Sequence, residues 1–437
     1  MTLDAPWKSI VSFSLPVFAG LFLQQLYNTV GTIIVGQYLG EAAVAAVGTT
    51  SCLVMFFLAI ANGFSAGAGI VSAQCFGAHD NAGLRLSAST SIISQGLLAL
   101  VCTLLALFFC RPVLHDIMGL EGELLSLAST YFYIYALGLP FQFGYNIIAG
   151  ILRGMGDSRA TLFFLIISSF INIALNYLFV AIFELGVGGS AMATNIAQLI
   201  SFIAAWIYMQ KEYPIFRFTP RDIRYDRAMA RRITMTGMPM ALQQMIVSMG
   251  FILIQRAVNS YGAAMIASYA VAQRVECYLT MPAAAFQITL AIYTGQNFGA
   301  NKLDRIQRGL KQSMLIVIVI SLIISATLLF LETPIIRAFN IDGRAFTYCF
   351  EHLQVTSLGL LLLNLYFPVF GVYQGTKHAI VPTAVAFSVL TIRVLSTYIL
   401  CAFPEISYHI IWYNQPLGFA VGVLITWSYY LSGRWKY

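Results

Sequence analysis

Charge is the scarcest property of this chain. Asp, Glu, Lys and Arg make up 9% of its 437 residues, against 59% hydrophobic residues and a mean hydropathy of +0.80. Ordinary soluble domains carry about 25% charged residues, so a soluble globular protein is excluded. Histidine is nearly as rare: His79, His115, His352, His378 and His409 sit in loops or near the ends of apolar runs, without the spacing of metal ligands. Cys52, Cys75, Cys102, Cys110, Cys277, Cys349 and Cys401 are scattered and form no C-x-x-C pair. They read as small apolar packing residues rather than a disulfide framework. The motif H-E-x-x-H and the P-loop are missing, as is any cluster of carboxylates. The chain therefore does not read as an enzyme, and no cofactor is expected. With no nucleotide site, any pumping must run on an ion gradient, H+ or Na+.

What the chain has instead is long apolar runs. Twelve reach about 20 residues or more, near 10–32, 46–72, 88–110, 127–152, 160–183, 188–209, 234–258, 264–290, 312–332, 350–373, 380–402 and 409–432. Each is long enough to cross a roughly 30 Å hydrocarbon core as a helix. Helix is the form expected, because lipid offers no partner to free backbone groups. The first run is too long for a cleaved signal. With the N-terminus placed in the cytoplasm, the outer side receives only Arg111, Arg256, Arg337 and Arg344. Arg274 and Arg393 fall within spans, and every other Lys and Arg lies on the cytoplasmic side. That asymmetry predicts a multi-pass protein of the cell (inner) membrane with both termini cytoplasmic. It also accounts for the net charge of +7 without nucleic acid, since the basic residues spread over short loops and form no aromatic-lined patch.

The chain also repeats itself, at an offset of about 222 residues. Gln74-Cys75-Phe76-Gly77-Ala78 answers Gln296-Asn297-Phe298-Gly299-Ala300, and Leu15-Pro16 answers Met238-Pro239. Gly138, Gly150 and Gly154 answer Gly359, Gly371 and Gly375. The expected fold is an all-α membrane protein of 12 transmembrane helices in two pseudo-twofold-related six-helix lobes. The lobes are 1–209 and 233–437, joined by a basic linker, 210–232. Six spans per half bring both halves into the membrane from the same side, so the repeat is parallel, and like halves can rock around a central site. Within the linker, 221–232 is either an amphipathic helix on the inner leaflet, drawn to anionic lipid, or a solvated connector. Pro16 and Pro239, at equivalent places, are either hinges or packing features. The spacings Gly63-x-x-x-Gly67, Gly150-x-x-x-Gly154 and Gly371-x-x-x-Gly375 predict close helix contacts within one chain rather than a dimer face, consistent with a monomer.

Ionisable groups inside spans are costly and by default mark function. Glu276 and Arg274 share the eighth span, and Arg393 lies in the eleventh. Residues two apart do not face each other on a helix, so Glu276 and Arg274 meet different neighbours, and Arg393 is a candidate partner for Glu276. These three are the candidates for cation coupling. Glu276 then either exchanges a proton or cation or forms a structural ion pair with Arg274 or Arg393. Glu184 and Glu332 are expected near a membrane interface. The first half has amides in place of deep carboxylates: Gln24, Asn28, Asn146, Asn172, Asn176, Asn195 and Gln198. Gln243, Gln244 and Gln273 are their counterparts in the second half. These amides either line a wet substrate cavity or bond helix to helix. A subset of the 32 Phe, 23 Tyr and 15 Met lining such a cavity would suit flat organic cations.

Several stretches resemble the multidrug and toxic compound extrusion (MATE) family over essentially the whole chain. They include Leu15-Pro16, Gln24-Gln25-Leu26-Tyr27-Asn28-Thr29-Val30, Val35-Gly36-Gln37-Tyr38-Leu39-Gly40, Leu152-Arg153-Gly154-x-Gly156-Asp157 and Tyr373-Gln374-Gly375, beside the two Phe-Gly-Ala motifs already quoted. The chain looks most similar to the bacterial branch of DNA-damage-inducible and MepA-like exporters. The resemblance implies two six-helix lobes and export of organic cations and drugs in exchange for protons or sodium. It also implies carboxylates at two positions where this chain has Gly31 and Asn176. The coupling role then falls to Glu276, or the protein is an uncoupled facilitator, or the substrate carries the balancing charge. A flippase for lipid-linked precursors is the alternative within the same superfamily. Against it stand 12 spans and only two buried arginines. A membrane-embedded enzyme is the distant alternative.

Overall fold

The computed structural model describes residues 1–219, 223–339, 341–400 and 408–436, and all regular structure among them is helical. Pro220, Arg221 and Cys401 lie outside the described residues. The helices are α1 (Pro6–Leu39), α2 (Glu41–Gly77), α3 (Asn81–Pro112), α4 (Gly122–Leu137), α5 (Leu139–Met155), α6 (Ser158–Asn176) and α7 (Gly186–Glu212). They continue with α8 (Arg227–Asn259), α9 (Ala263–Gly299), α10 (Leu303–Ala338), α11 (Gly343–Gly375), α12 (Ile380–Leu400) and α13 (His409–Leu431). Ten are each long and apolar enough to cross a membrane. The pair α4–α5, bent by 47° at Gly138 with Pro140 in the first turn of α5, forms an eleventh crossing. With α13, of 23 residues, this makes an all-α membrane protein of 12 spans. Large apolar side chains face outward, as a lipid-facing surface requires: Phe330 is 85% exposed and Phe108 77%.

The repeated Phe-Gly-Ala motif is a helix terminator. After α2, His79 takes the left-handed conformation (φ 56°), and Asp80 N–H donates back to Cys75 O at 2.9 Å. After α9, Asn301 has the same φ of 56°, and Lys302 N–H donates to Asn297 O at 2.8 Å. This six-to-one closure satisfies carbonyls that a helix end leaves open. Both halves thus stop an equivalent helix by the same device.

The chain divides into two compact units. The first is Ala19–Ala241, and the second is Met1–Phe18 with Leu242–Tyr437. At their edges the units differ from the sequence repeats, because the N-terminal segment packs with the second unit. There Arg305 Nη2 donates to Met1 O (3.1 Å) and Asp4 O (2.5 Å), Gln312 Oε1 accepts from Trp7 N–H (2.9 Å), and Ile10 is fully buried in the unit's core. The linker, in turn, is fastened to α3 of the first unit. Arg85 donates to Arg217 O and lies over the Phe218 ring, Ser89 donates to Arg224 O, and Thr90 accepts from Asp226 N–H. Among the described residues of 221–232, 223–226 are not helical and 227–232 open α8, which runs unbroken from Arg227 to Asn259.

Glycines set the core spacing of each unit. In the first, a Cβ on Gly150 would lie 2.5 Å from Ser65 O, and one on Gly154 2.4 Å from Gly69 O, so α2 and α5 touch backbone to backbone. In the second, a Cβ on Gly371 would lie 2.5 Å from Gln287 O and one on Gly375 2.5 Å from Ala291 O, joining α9 and α11 alike. Gly63 and Gly67 meet Ala241 and Gly237 of α8 in the same manner. The small-residue spacings therefore serve contacts within the chain. Gly371→Val should destabilise the protein by about 2–3 kcal/mol through overpacking. Gly48→Val, with nothing within 4 Å of the added atom, should be neutral. Thermal unfolding of the two variants in detergent checks the difference.

Candidate functional site

The second unit holds the one carboxylate that the sequence placed deep in a span. α9 carries Glu276, half-buried, and Gln415 of α13 donates from Nε2 to its Oε1. The next residue back, Asn414, is fully buried, and its Oδ1 accepts from Arg393 Nε of α12 at 3.1 Å. Asn414 Nδ2 donates to Ile411 O at 2.9 Å, which fixes its amide with the oxygen toward Arg393. Gly418 clears a lane for the Arg393 stem: a Cβ there would meet Arg393 Cγ at 2.6 Å. Neither Arg393 nor Arg274 forms an ion pair with Glu276 among the described residues. Arg274 is exposed, which corrects the expectation that it is buried alongside Arg393.

Beside this cluster α11 inserts His352, 2% exposed, between two aromatic rings. It stacks on Trp412 of α13 (centroids 4.4 Å apart, planes at 18°) and on Tyr269 of α9 (5.5 Å, 16°). The expectation that every histidine sits in a loop or near a span end fails here, because α11 begins at Gly343 and carries His352 into the packed interior. Glu332, near the C-terminal end of α10, is buried and accepts from Gln354 at 3.3 Å. Farther along the unit, three amides form a string. Gln287 donates to Gln374 Oε1 (3.3 Å) and Gln374 to Gln243 Oε1 (3.2 Å). Gln244 is exposed and Gln273 half-buried. In the loop between α11 and α12, burial and then the neighbouring Lys377 hold His378 below the ordinary histidine range.

The first unit brings its predicted amides together as a neutral cluster. Asn172 Nδ2 donates to Thr194 Oγ1 at 3.1 Å, and Asn176 Nδ2 donates to Asn172 Oδ1 at 3.1 Å. Asn176 Oδ1 is buried with no partner. A Cβ on Gly31 would lie 4.0 Å from Asn176 Nδ2, so the two positions that depart from the implied carboxylates are neighbours. Asn195 serves elsewhere: it donates to Ile134 O at 2.5 Å, and only a glycine at position 138 leaves room for it. Gln198 is buried with Oε1 unpartnered, Gln24 and Asn146 are half-buried, and Asn28 is exposed. Their side chains are not gathered with the Asn172–Asn176 pair by any hydrogen bond described.

Sequence reasoning missed Asn414, Gln415, Thr194, Gln287, Gln374 and His352 as site residues. The signal was present for some of them. Gln374 stands in the Tyr373-Gln374-Gly375 motif, and Asn414-Gln415 are adjacent amides inside an otherwise apolar run.

Comparison with known proteins agrees with this architecture. A family model described as MatE matches residues 16–178 and 239–399, one stretch in each repeat. The chain is 27% identical over 432 residues to the probable multidrug resistance protein YoeA of Bacillus subtilis, covering 97% of this chain and 93% of that one. It is 24% identical to the multidrug export protein MepA of Staphylococcus haemolyticus, covering 90% and 87%. Among solved structures it superposes on a MOP superfamily transporter from Pyrococcus furiosus with a TM-score of 0.92 at 22% identity, covering 98% and 95%. A MATE in complex with MaL6 gives 0.92 at 23% identity, covering 99% and 96%.

Proposed function

Since the chain belongs to the MatE family, and its relatives are multidrug transporters, we propose that this membrane transporter exports small organic cations in exchange for protons or sodium, with Glu276 as the coupling group. The carrying observation is the contrast between its two units. In the first, Gly31, Asn172, Asn176 and Thr194 offer dipoles but nothing that ionises. In the second, Glu276 lies inside α9 with an amide donor and, among the described residues, no ion pair. A carboxylate kept within a span and left unneutralised is a group whose charge must be met in turn by a cation, a proton or a substrate. The distribution of Lys and Arg supports a cell-membrane placement with both termini cytoplasmic. In the interior of the apolar runs only Arg274 and Arg393 bring positive charge, and Arg274 is exposed, which disfavours an anionic lipid-linked precursor as substrate.

The test is the purified protein in liposomes with a cationic dye of the ethidium type, under a proton gradient or a sodium gradient applied separately. Dye accumulation against its own gradient is expected under at least one. Equilibration without accumulation under both would make the protein a facilitator.

A further inference from the structure

We propose that Asn414 and Gln415 are positioning residues that hold the Glu276 carboxylate and the Arg393 guanidinium apart as a bridged, open charge pair; this rests on the reading of Glu276 as the coupling group. The two amides are consecutive on α13 yet serve different helices, Gln415 reaching α9 and Asn414 reaching α12. Both are buried, Asn414 completely and Gln415 to 5% exposure. Each gives its charged neighbour the complementary end of an amide: NH2 to the carboxylate, C=O to the guanidinium. The bridge is fixed in place. Asn414 is tied to Ile411 O, Trp412 is stacked on His352, and Gly418 receives the arginine stem. Glu276 Oε2 accepts no hydrogen bond among the described residues and remains open.

The spacing decides what the carboxylate can do. A direct carboxylate–guanidinium pair in a low-dielectric interior is strongly bound and bidentate. It would keep Glu276 ionised and closed to any other cation. An amide on each charge compensates part of the desolvation cost without saturating the carboxylate. The other ionisable groups within electrostatic reach are Tyr269 and Cys277 on α9 and Tyr366 and His352 on α11. Of the groups in reach, only Arg393 carries a permanent positive charge, so it is the partner Glu276 must be kept from.

The experiment uses the full-length protein in liposomes. Gln415→Leu removes the donor and frees Glu276 to reach Arg393, so gradient-driven dye accumulation should fall about tenfold, equivalent to 1.4 kcal/mol. Adding Arg393→Met should restore accumulation. A double variant as impaired as the single one would overturn the proposal, because a merely structural role for Gln415 would not be relieved by removing the arginine. A second readout is independent of transport: the infrared carboxyl band of Glu276, identified by its loss in Glu276→Gln. That band should stay in the ionised position across the pH range in Gln415→Leu and titrate again in the double variant. Identical titration in wild type and Gln415→Leu would also overturn the proposal. Should Glu276→Gln retain driven transport, the coupling reading fails, while the band still tests the bridge. If Gln415→Leu does not fold, Gln415→Asn carries the same infrared test, since it stays an amide but falls one carbon short of Glu276.

Discussion

Glu276→Gln should abolish uphill transport while leaving the protein folded. In liposomes with an imposed gradient, one proton exchanged per singly charged substrate can sustain about a tenfold substrate ratio for each pH unit, or 1.4 kcal/mol. With glutamine at 276 the ratio should fall to unity under either gradient. The amide is nearly isosteric and can still meet Gln415, so the local bonding is disturbed little. What disappears is the negative charge and the capacity to take up a proton. The first unit offers no substitute, because its clustered polar groups are Asn172, Asn176 and Thr194. Dye binding, read by fluorescence anisotropy in detergent, should weaken for cationic dyes and persist for neutral ones. Accumulation that survives in Glu276→Gln under a pH or sodium gradient would remove Glu276 from the coupling role.

That expectation was half legible in the sequence. Glu276 announced itself because a carboxylate in an apolar run is costly wherever the helix faces. Its partners did not. Gln415 lies 139 positions away and carries no charge, and nothing local distinguishes an amide that bridges two helices from one that faces lipid. The spans and the repeat were readable because hydrophobic length and motif spacing are properties of the chain itself. The break of the fourth span at Gly138 was only hinted at by Gly138-Leu139-Pro140, since the 47° bend depends on what packs against it. The edges of the units were hidden for the same reason. Asp4 meets Arg305, 301 positions along the chain, and Trp7 meets Gln312, 305 positions along. Hydropathy assigns Met1–Phe18 to the first repeat by continuity, whereas hydrogen bonds and burial assign it to the second unit. His352 was misjudged because its distance from the end of an apolar run says little once the helix itself starts at Gly343.

Replacing both Pro16 and Pro239 with alanine should make the protein more stable and a slower transporter. The chain passes between its units only twice, at Phe18–Ala19 within α1 and at Ala241–Leu242 within α8. Both crossings lie inside continuous helices, and each falls just beyond the proline of its repeat. A proline in a helix interior removes one backbone donor and costs about 3 kcal/mol; here the carbonyls of Ser12 and Met235 lose the amide that would bond them. Any change in the relation of the two units must be absorbed by these two helices, and it is least costly where the bonding is already interrupted. Alanine restores the missing bond and stiffens the crossing. If half of that cost, about 1.5 kcal/mol, is added to the barrier, exchange slows about tenfold. The two effects have opposite signs, so the melting temperature should rise while the rate of dye transport falls and dye binding at equilibrium stays unchanged. Loss of folding cannot imitate that pattern. Transport at the wild-type rate in Pro16→Ala/Pro239→Ala would show that the prolines shape packing alone.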